Sequence, residues 1–297
     1  MSFDGIALWI RIYDHTIATA LINSIVSLGL YISLRAGLFN LSVVAFQALG
    51  AYTAGILALR LNLPTPIGVA AGVALSLLIG TVLVFPILRL KGHYLAIATL
   101  SFGAIVQALA LNLDDLTNGP AGLIGVPKTV TVWHLLVVLI AALYCTWIVQ
   151  FSRMGRAWDA IRTDESAARA MGINVEHYRL IAFLATTALS ALAGALWAHV
   201  NRVIVPSEFG FGQLTLALVN TLLGGISSPV GPVLGAIIVS TMPDWLYKFE
   251  QHREALIGAI LVVVVIYLPN GLVAPLRTLK SALARRFNRT ALGTTGQ

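Results

Sequence analysis

From Ile17 to Leu34 the chain is almost unbroken in its apolarity, and no Asp, Glu, Lys or Arg falls between Asp14 and Arg35. A segment of this kind leaves few options. Inside a bilayer every backbone N–H and C=O must be satisfied within the protein, which restricts spanning structures to helices and closed barrels. A helix crosses with about 20 apolar residues, whereas a barrel shows ~10-residue segments of alternating polarity. Ile17 to Leu34 does not alternate, and neither does a second run, Leu256 to Leu268. Both are helical.

Comparable runs recur along the chain at about 40–59, 67–88, 93–113, 132–151 and 179–200, with a last span expected at about 255–272. Two further apolar runs between 214 and 243 are separated by Gly224-Gly225-Ile226-Ser227-Ser228-Pro229-Val230-Gly231-Pro232. They either cross singly or fold together as a re-entrant or broken-helix region. The reading is an all-α polytopic membrane protein, a bundle of about eight or nine transmembrane segments forming a single domain over 1–297. Charged residues make up 10% of the chain, against about 25% in soluble domains. The loop from Asp114 to Lys128, rich in Gly and Pro, is expected to hold no regular element and to lie on the outer side. Cys145 is the only cysteine and is read as a small packing residue within a span.

The one long polar interruption runs from Ser152 to Arg179 and holds five of the nineteen basic residues and four of the twelve acids. Hydrocarbon excludes it, so it is read as a loop, 152–178. Within it Thr163 can cap a short helix with an acidic first turn, Asp164 and Glu165, an alanine-rich body and a stop at Gly172. Asn174 can cap the next long helix.

The formal charge of +7 is unevenly spread. If Arg35, Arg89, Lys91, the polar run and the basic tail 277–297 share one side, that side carries thirteen of the nineteen basic residues. The positive-inside rule then puts the polar run and the C-terminus in the cytoplasm and the N-terminus outside. The charge reports topology and contact with membrane lipid rather than affinity for nucleic acid. Residues 3–13 carry no cleavable signal pattern and are read as lying along the interface.

Chemistry is sparse. The acids fall outside or at the edges of the spans, so no intramembrane proton relay is offered. No lysine follows a glycine as a phosphate-binding loop requires, and the scattered histidines suggest no metal site. No cofactor, metal or catalytic residue is expected. Uncharged polar residues do enter the spans: Asn23 and Ser27 on one face, Asn40 and Gln47 two turns apart, Gln107, and Asn220 with Thr221. A translocation path for a polar solute would use such groups. Interhelical hydrogen bonds would use them too.

Four stretches carry a resemblance. The run ESAARAMGIN with the helix VEHYRLIAFLATTALSALAGALWA resembles the EAA-type loop and next helix of branched-chain amino acid ABC transporter permeases of the LivM type. LFNLSVVAFQALGAYTAGIL, RLKGHYLAIATLSFGAI with LTNGPAGLIGVP, and LLGGISSPVGPVLGA agree with it, over about residues 35–240. The general motif has Glu where this chain has Ser166, while Ala167, Ala168 and Gly172 match and Glu165 stands one residue early.

The resemblance implies the membrane-spanning subunit of an ATP-driven importer of the inner membrane, not itself an enzyme. It implies a second permease subunit, cytoplasmic ATPase subunits and an extracytoplasmic solute-binding protein as partners. It also implies that Asp164, Glu165, Ser166, Ala167, Ala168, Arg169 and Gly172 form the ATPase-coupling element. Branched-chain or other apolar amino acids are the implied substrates, with urea, short amides or sugars as alternatives within the family. A self-contained ion-coupled carrier, or a scaffold without transport, is the reading outside it.

Overall fold

The computed structural model describes residues 14–90 and 92–245. The expected final span near 255–272, the tail 277–297, Lys91 and the segment 3–13 lie outside the described residues. Among those described, six helices are long and apolar enough to cross a membrane: α1 Asp14–Arg35, α2 Val43–Arg60, α3 Thr65–Ile87, α4 His93–Asn112, α6 Val132–Phe151 and α9 Val175–Asn201. Their ends fall within a few residues of the expected boundaries. A single-turn helix, α5, covers Asp114–Thr117.

Burial separates the centre from the rim. The most apolar stretch of α1 is 78% buried and that of α6 only 17%. An apolar helix buried all round is a core helix, and α1 accordingly touches α2, α6, α9 and the last two described helices. α3, α4 and α6 turn apolar residues such as Leu78, Ile105, Val137 and Ile140 outward, as a bilayer permits. Cys145 also faces outward on α6 and is exposed, which corrects its expected role as a packing residue.

Close packing at the centre depends on glycine. A Cβ at Gly50 of α2 would collide with the backbone of Ala191 in α9, and one at Gly194 of α9 with the backbone of Gln47. Without a hydrophobic drive between helices in lipid, such close approach supplies the association through dispersion contacts.

The polar run is not a loop throughout. α7, Arg153–Thr163, is a helix whose Ser152 hydroxyl caps it by accepting from Met154 N at 3.1 Å. Gly155, Ala157, Trp158 and Ile161 form its buried face, so it lies against the end of the bundle with its charges outward. A short helix, α8, Glu165–Ala170, follows before α9 begins.

The loop Asp114–Lys128 is also more ordered than expected. After α5 come a 3-10 turn at Gly119–Ala121 and a two-residue strand β1, Leu123–Ile124, antiparallel to β2, Val203–Ile204, directly after α9. Asn118, Gly119, Gly122 and Gly125 take positive φ values and make the turns. The glycines mark the turns, but the regular elements between them correct the expectation of an irregular loop. What the local sequence lacks is any sign of the distant partner strand.

The two apolar runs near 214–243 become α10, Phe211–Gly224, and α11, Val230–Trp245. They form an antiparallel hairpin in which Gly224 meets the backbone of Gly231, and Gly235 that of Asn220. At 1.5 Å per residue the 14 residues of α10 rise about 21 Å, short of the ~30 Å hydrocarbon core.

Candidate coupling face and polar seam

Arg35, α7, α8, the Arg89 turn and the start of α9 gather at one end of the bundle. At the other end Lys128 pairs with Asp14 at 2.9 Å and Arg60 donates to the carbonyl of Asp115. Among the described residues the basic side chains named here are therefore divided between the two ends.

Asp164, not Thr163, caps α8. Its Oδ1 accepts from Ser166 N at 2.8 Å and Ala167 N at 3.0 Å. Thr163 is instead the last residue of α7, and its hydroxyl donates to Asp159 O. The physical reason is that α7 already holds Thr163 in a helical conformation, whereas a cap residue must be extended, as Asp164 is. At the far end Ile173 N bonds Ala168 O and Gly172 N bonds Arg169 O, with Gly172 at φ +81°. This is the Schellman closure, which needs a left-handed residue there. Asn174 caps α9 by accepting from His177 N, as expected.

Side-chain direction divides the proposed coupling residues. Ser166 and Ala167 are exposed. Ala168 points inward and is fully buried against Ile161 and Val175. Arg169 bonds Glu165 at 3.0 Å and Glu176 at 2.6 Å, while Arg179 bonds the second oxygen of Glu165 at 3.0 Å. Desolvation opposes ionisation of Glu165, yet the hydrogen bonds and charges of Arg169 and Arg179 hold its carboxyl below the usual carboxylate range. The Arg169 hydrogen bond does the same for Glu176.

Through the bundle runs a seam of uncharged polar groups. Asn23 of α1 donates to Ser240 Oγ and accepts from Gln213 Nε2, both at 3.0 Å, joining α1 to both arms of the hairpin. Thr221 Oγ1 lies 2.7 Å from Ala217 O and 3.3 Å from Ser27 O. Four of the seven sequence candidates, Asn23, Ser27, Asn220 and Thr221, thus converge where α1 meets the hairpin. Asn40 belongs to a chain nearer the polar end: it accepts from Ser42 Oγ at 2.6 Å, and its Nδ2 lies 3.5 Å from Ser33 Oγ. Ser33 in turn contacts Thr186 Oγ1 at 2.7 Å. Gln47 sits in the α2–α9 crossing beside Gly194. Gln107 stands apart, donating to Pro206 O outside the bundle centre.

Ser27 Oγ, Gln47 Oε1, Thr187 Oγ1, Ser190 Oγ and Asn220 Oδ1 are buried with no hydrogen-bond partner among the described residues. Each unmade bond costs about 1–3 kcal/mol. Thr187 and Ser190 went unremarked in sequence because hydroxyls are common in packed membrane helices.

Glu208 is another residue that sequence reasoning passed over. It lies in a 3-10 turn, Pro206–Phe209, just before α10. Its oxygens accept from Trp197 Nε1 at 2.9 Å and Asn201 Nδ2 at 3.2 Å. Burial nevertheless pushes its carboxyl above the usual range.

A family model described as branched-chain amino acid transport system / permease component matches residues 12–265. The high-affinity branched-chain amino acid transport system permease protein LivM of Escherichia coli (strain K12) is 31% identical over 286 residues, covering 82% of this chain and 66% of LivM. LivH of Salmonella typhimurium, a permease protein of the same named system, is 31% identical over 139 residues, 46% of this chain and 45% of LivH. The ribose import permease protein RbsC of Escherichia coli (strain K12) is 26% identical over 273 residues, 84% of this chain and 82% of RbsC. No solved structure gives a significant match.

Proposed function

From the branched-chain amino acid transport system / permease component family, to which this chain belongs, we propose the membrane-spanning subunit of an ATP-driven, binding-protein-dependent importer of branched-chain or other apolar amino acids. It is a translocation component, with ATP hydrolysed on a separate cytoplasmic subunit. The observation that carries this reading is the seam itself: buried, uncharged polar atoms without partners among the described residues, in helices that otherwise pack tightly. A passing solute with both polar and apolar parts can use such donors and acceptors, and a seam without formal charge suits a zwitterion whose own charges cancel.

Asn23, Ser27, Asn220 and Thr221 are the proposed lining of the path, with Asn40 and Gln47 toward the polar end. Gln107, away from the seam, is proposed to steady the segment that precedes α10. The hairpin α10–α11, whose first arm is too short to cross alone, is proposed as a re-entrant element reaching the seam from the Asp14 end. The end that carries α7 and α8 is proposed as cytoplasmic, with the C-terminus on that side, the N-terminus outside and the bilayer that of the cell inner membrane.

On that side α8 would dock the ATPase, Ser166, Ala167 and Arg169 facing the partner while Asp164, Glu165, Ala168 and Gly172 shape the helix from behind. A second permease subunit completes the membrane unit, a reading supported by the two permease proteins LivM and LivH that share one named system. An extracytoplasmic binding protein would deliver the solute to the opposite end.

A sugar is the second reading, favoured by the RbsC likeness over most of both chains. Uptake of labelled leucine, urea, a short amide and ribose by the reconstituted complex separates the two. Leucine uptake that depends on ATP supports the first. Ribose uptake without any amino acid would replace it.

A further inference from the structure

A cavity of about 620 Å³ opens between the Arg89 turn and the base of α9. Its lining mixes apolar and charged residues. Phe85 and Leu88, at the end of α3, and Leu180, in the first turns of α9, supply apolar lining, while Arg89, Arg169 and Arg179 supply basic groups. The cavity therefore straddles the level at which the apolar helices give way to the charged end of the bundle.

The charges of this cavity do not cancel. Glu165 and Glu176 also line it, but both are engaged by Arg169 and Arg179. Arg89 is exposed and has no ion-pair partner among the described residues. Two glutamates offset by two arginines leave the Arg89 guanidinium for an anion.

The apolar lining leads out of the cavity. Leu78, Val82 and Phe85 are exposed and spaced by four and three residues, so they form one outward stripe down α3. An anion held at Arg89 that also carried a hydrocarbon chain could lay that chain along the stripe. A free anion would leave the stripe unused, and a zwitterionic headgroup would bring its own cation against Arg89.

We propose that this cavity binds the phosphodiester headgroup of an anionic phospholipid, its acyl chain running along Phe85, Val82 and Leu78. Basic pockets between helices on the cytoplasmic side recognise such headgroups, and the volume lies within the ~300–1,000 Å³ typical of ligand sites. The proposal depends on the membrane setting of the chain and not on which solute is transported. The bound lipid would bridge the α3–α4 turn and the Glu165–Arg169–Glu176–Arg179 network, tying lipid composition to the posture of α8.

Native mass spectrometry of the full chain in neutral detergent tests it, with phosphatidylglycerol, phosphatidylcholine and inorganic phosphate as probes. Phosphatidylglycerol should persist as a discrete adduct that millimolar phosphate does not displace, with phosphatidylcholine retained far less. Arg89→Gln should weaken the phosphatidylglycerol adduct about fivefold, the scale of one basic residue at an anionic surface. Arg89→Lys should keep most of it. Equal retention of the two lipids by the unmodified chain, or displacement by phosphate, overturns the lipid assignment. So does an Arg89→Gln variant that binds phosphatidylglycerol normally yet loses ATPase subunits on co-purification, which would make the cavity a protein-docking surface.

Discussion

Arg35, the last residue of α1, donates Nε and Nη2 to the two carboxylate oxygens of Asp159 on α7, at 3.0 and 2.7 Å. Arg35 is 8% exposed and its Nη1 also donates to Tyr31 at 2.7 Å. The central helix of the bundle is thereby clamped to the helix that leads directly into α8. Trp158, next to Asp159, ties α7 to α9 through its indole N–H and Tyr178 O. Movement of α8 therefore has a bonded route to the helix that carries Asn23 and Ser27.

Removing the carboxylate strands the buried guanidinium. Asp159 itself is half exposed, so water compensates in part, and Asp159→Asn is expected to cost about 1–3 kcal/mol. ATP-dependent uptake should fall more than ATP hydrolysis does. The exchange Arg35→Asp with Asp159→Arg should recover part of the loss. A double-mutant cycle on thermal stability measures the coupling, and a coupling energy near zero would remove the clamp from the mechanism.

Ala167 and Ala168 are neighbours with different expected behaviour. Ala167→Glu places its side chain in solvent, so thermal stability should stay within about 0.5 kcal/mol while ATPase co-purification drops. Ala168→Glu drives a carboxylate between Ile161 and Val175 and should destabilise this end of the bundle before any docking is tested. Melting curves beside co-purification yields separate the two. Equal loss of stability in both variants would contradict the inward placement of Ala168.

Gly172 isolates a conformational requirement, because a Cβ there would meet no atom within 4 Å. Gly172→Val should cost about 1 kcal/mol or more through its left-handed φ alone. Gly172→Asn should be much milder, since Asn tolerates that region. Comparable losses in the two variants, read by thermal shift, would point to a contact rather than to backbone conformation.

Gly194 tests the helix crossing. Gly194→Leu must part α9 from α2 at Gln47 and is expected to abolish well-folded protein, seen as aggregation on size-exclusion chromatography in detergent. Gly103→Leu, on α4 with open space around its Cα, should behave as the unmodified chain does. A monodisperse Gly194→Leu protein would mean that the crossing is looser than the contact implies.

Glu208 predicts a pH dependence. Its folded carboxyl titrates above the unfolded value of about 4.3. The folded state therefore binds the proton more tightly, and this contribution to stability is full at acid pH. It declines as pH rises from the unfolded value through the raised folded one. Glu208→Gln should remove that slope whatever its effect on absolute stability. Thermal stability followed across mildly acidic to neutral pH reads it, and an unchanged slope in the variant would assign the dependence to another group.

The six long helices were legible because a bilayer imposes a one-dimensional rule: a helix that must satisfy its own backbone in hydrocarbon needs about 20 apolar residues in a row. Asn174 and Gly172 were legible for a similar reason, since caps and left-handed stops act over three or four neighbours. α7 was missed because a polar sequence whose helical face is made by Gly155, Ala157, Trp158 and Ile161 resembles a loop until a surface exists to bury that face. The same limit hid the β1–β2 pairing and the inward turn of Ala168. It also left seven polar residues looking alike, although the fold brings Asn23, Ser27, Asn220 and Thr221 together and leaves Gln107 aside. Sequence alone marked out the six long apolar helices among the described residues and where they stop, because those choices are made against solvent. Which polar groups meet, and which glycines let them, was decided by contacts between residues far apart in the chain, and these exist only once the helices have packed.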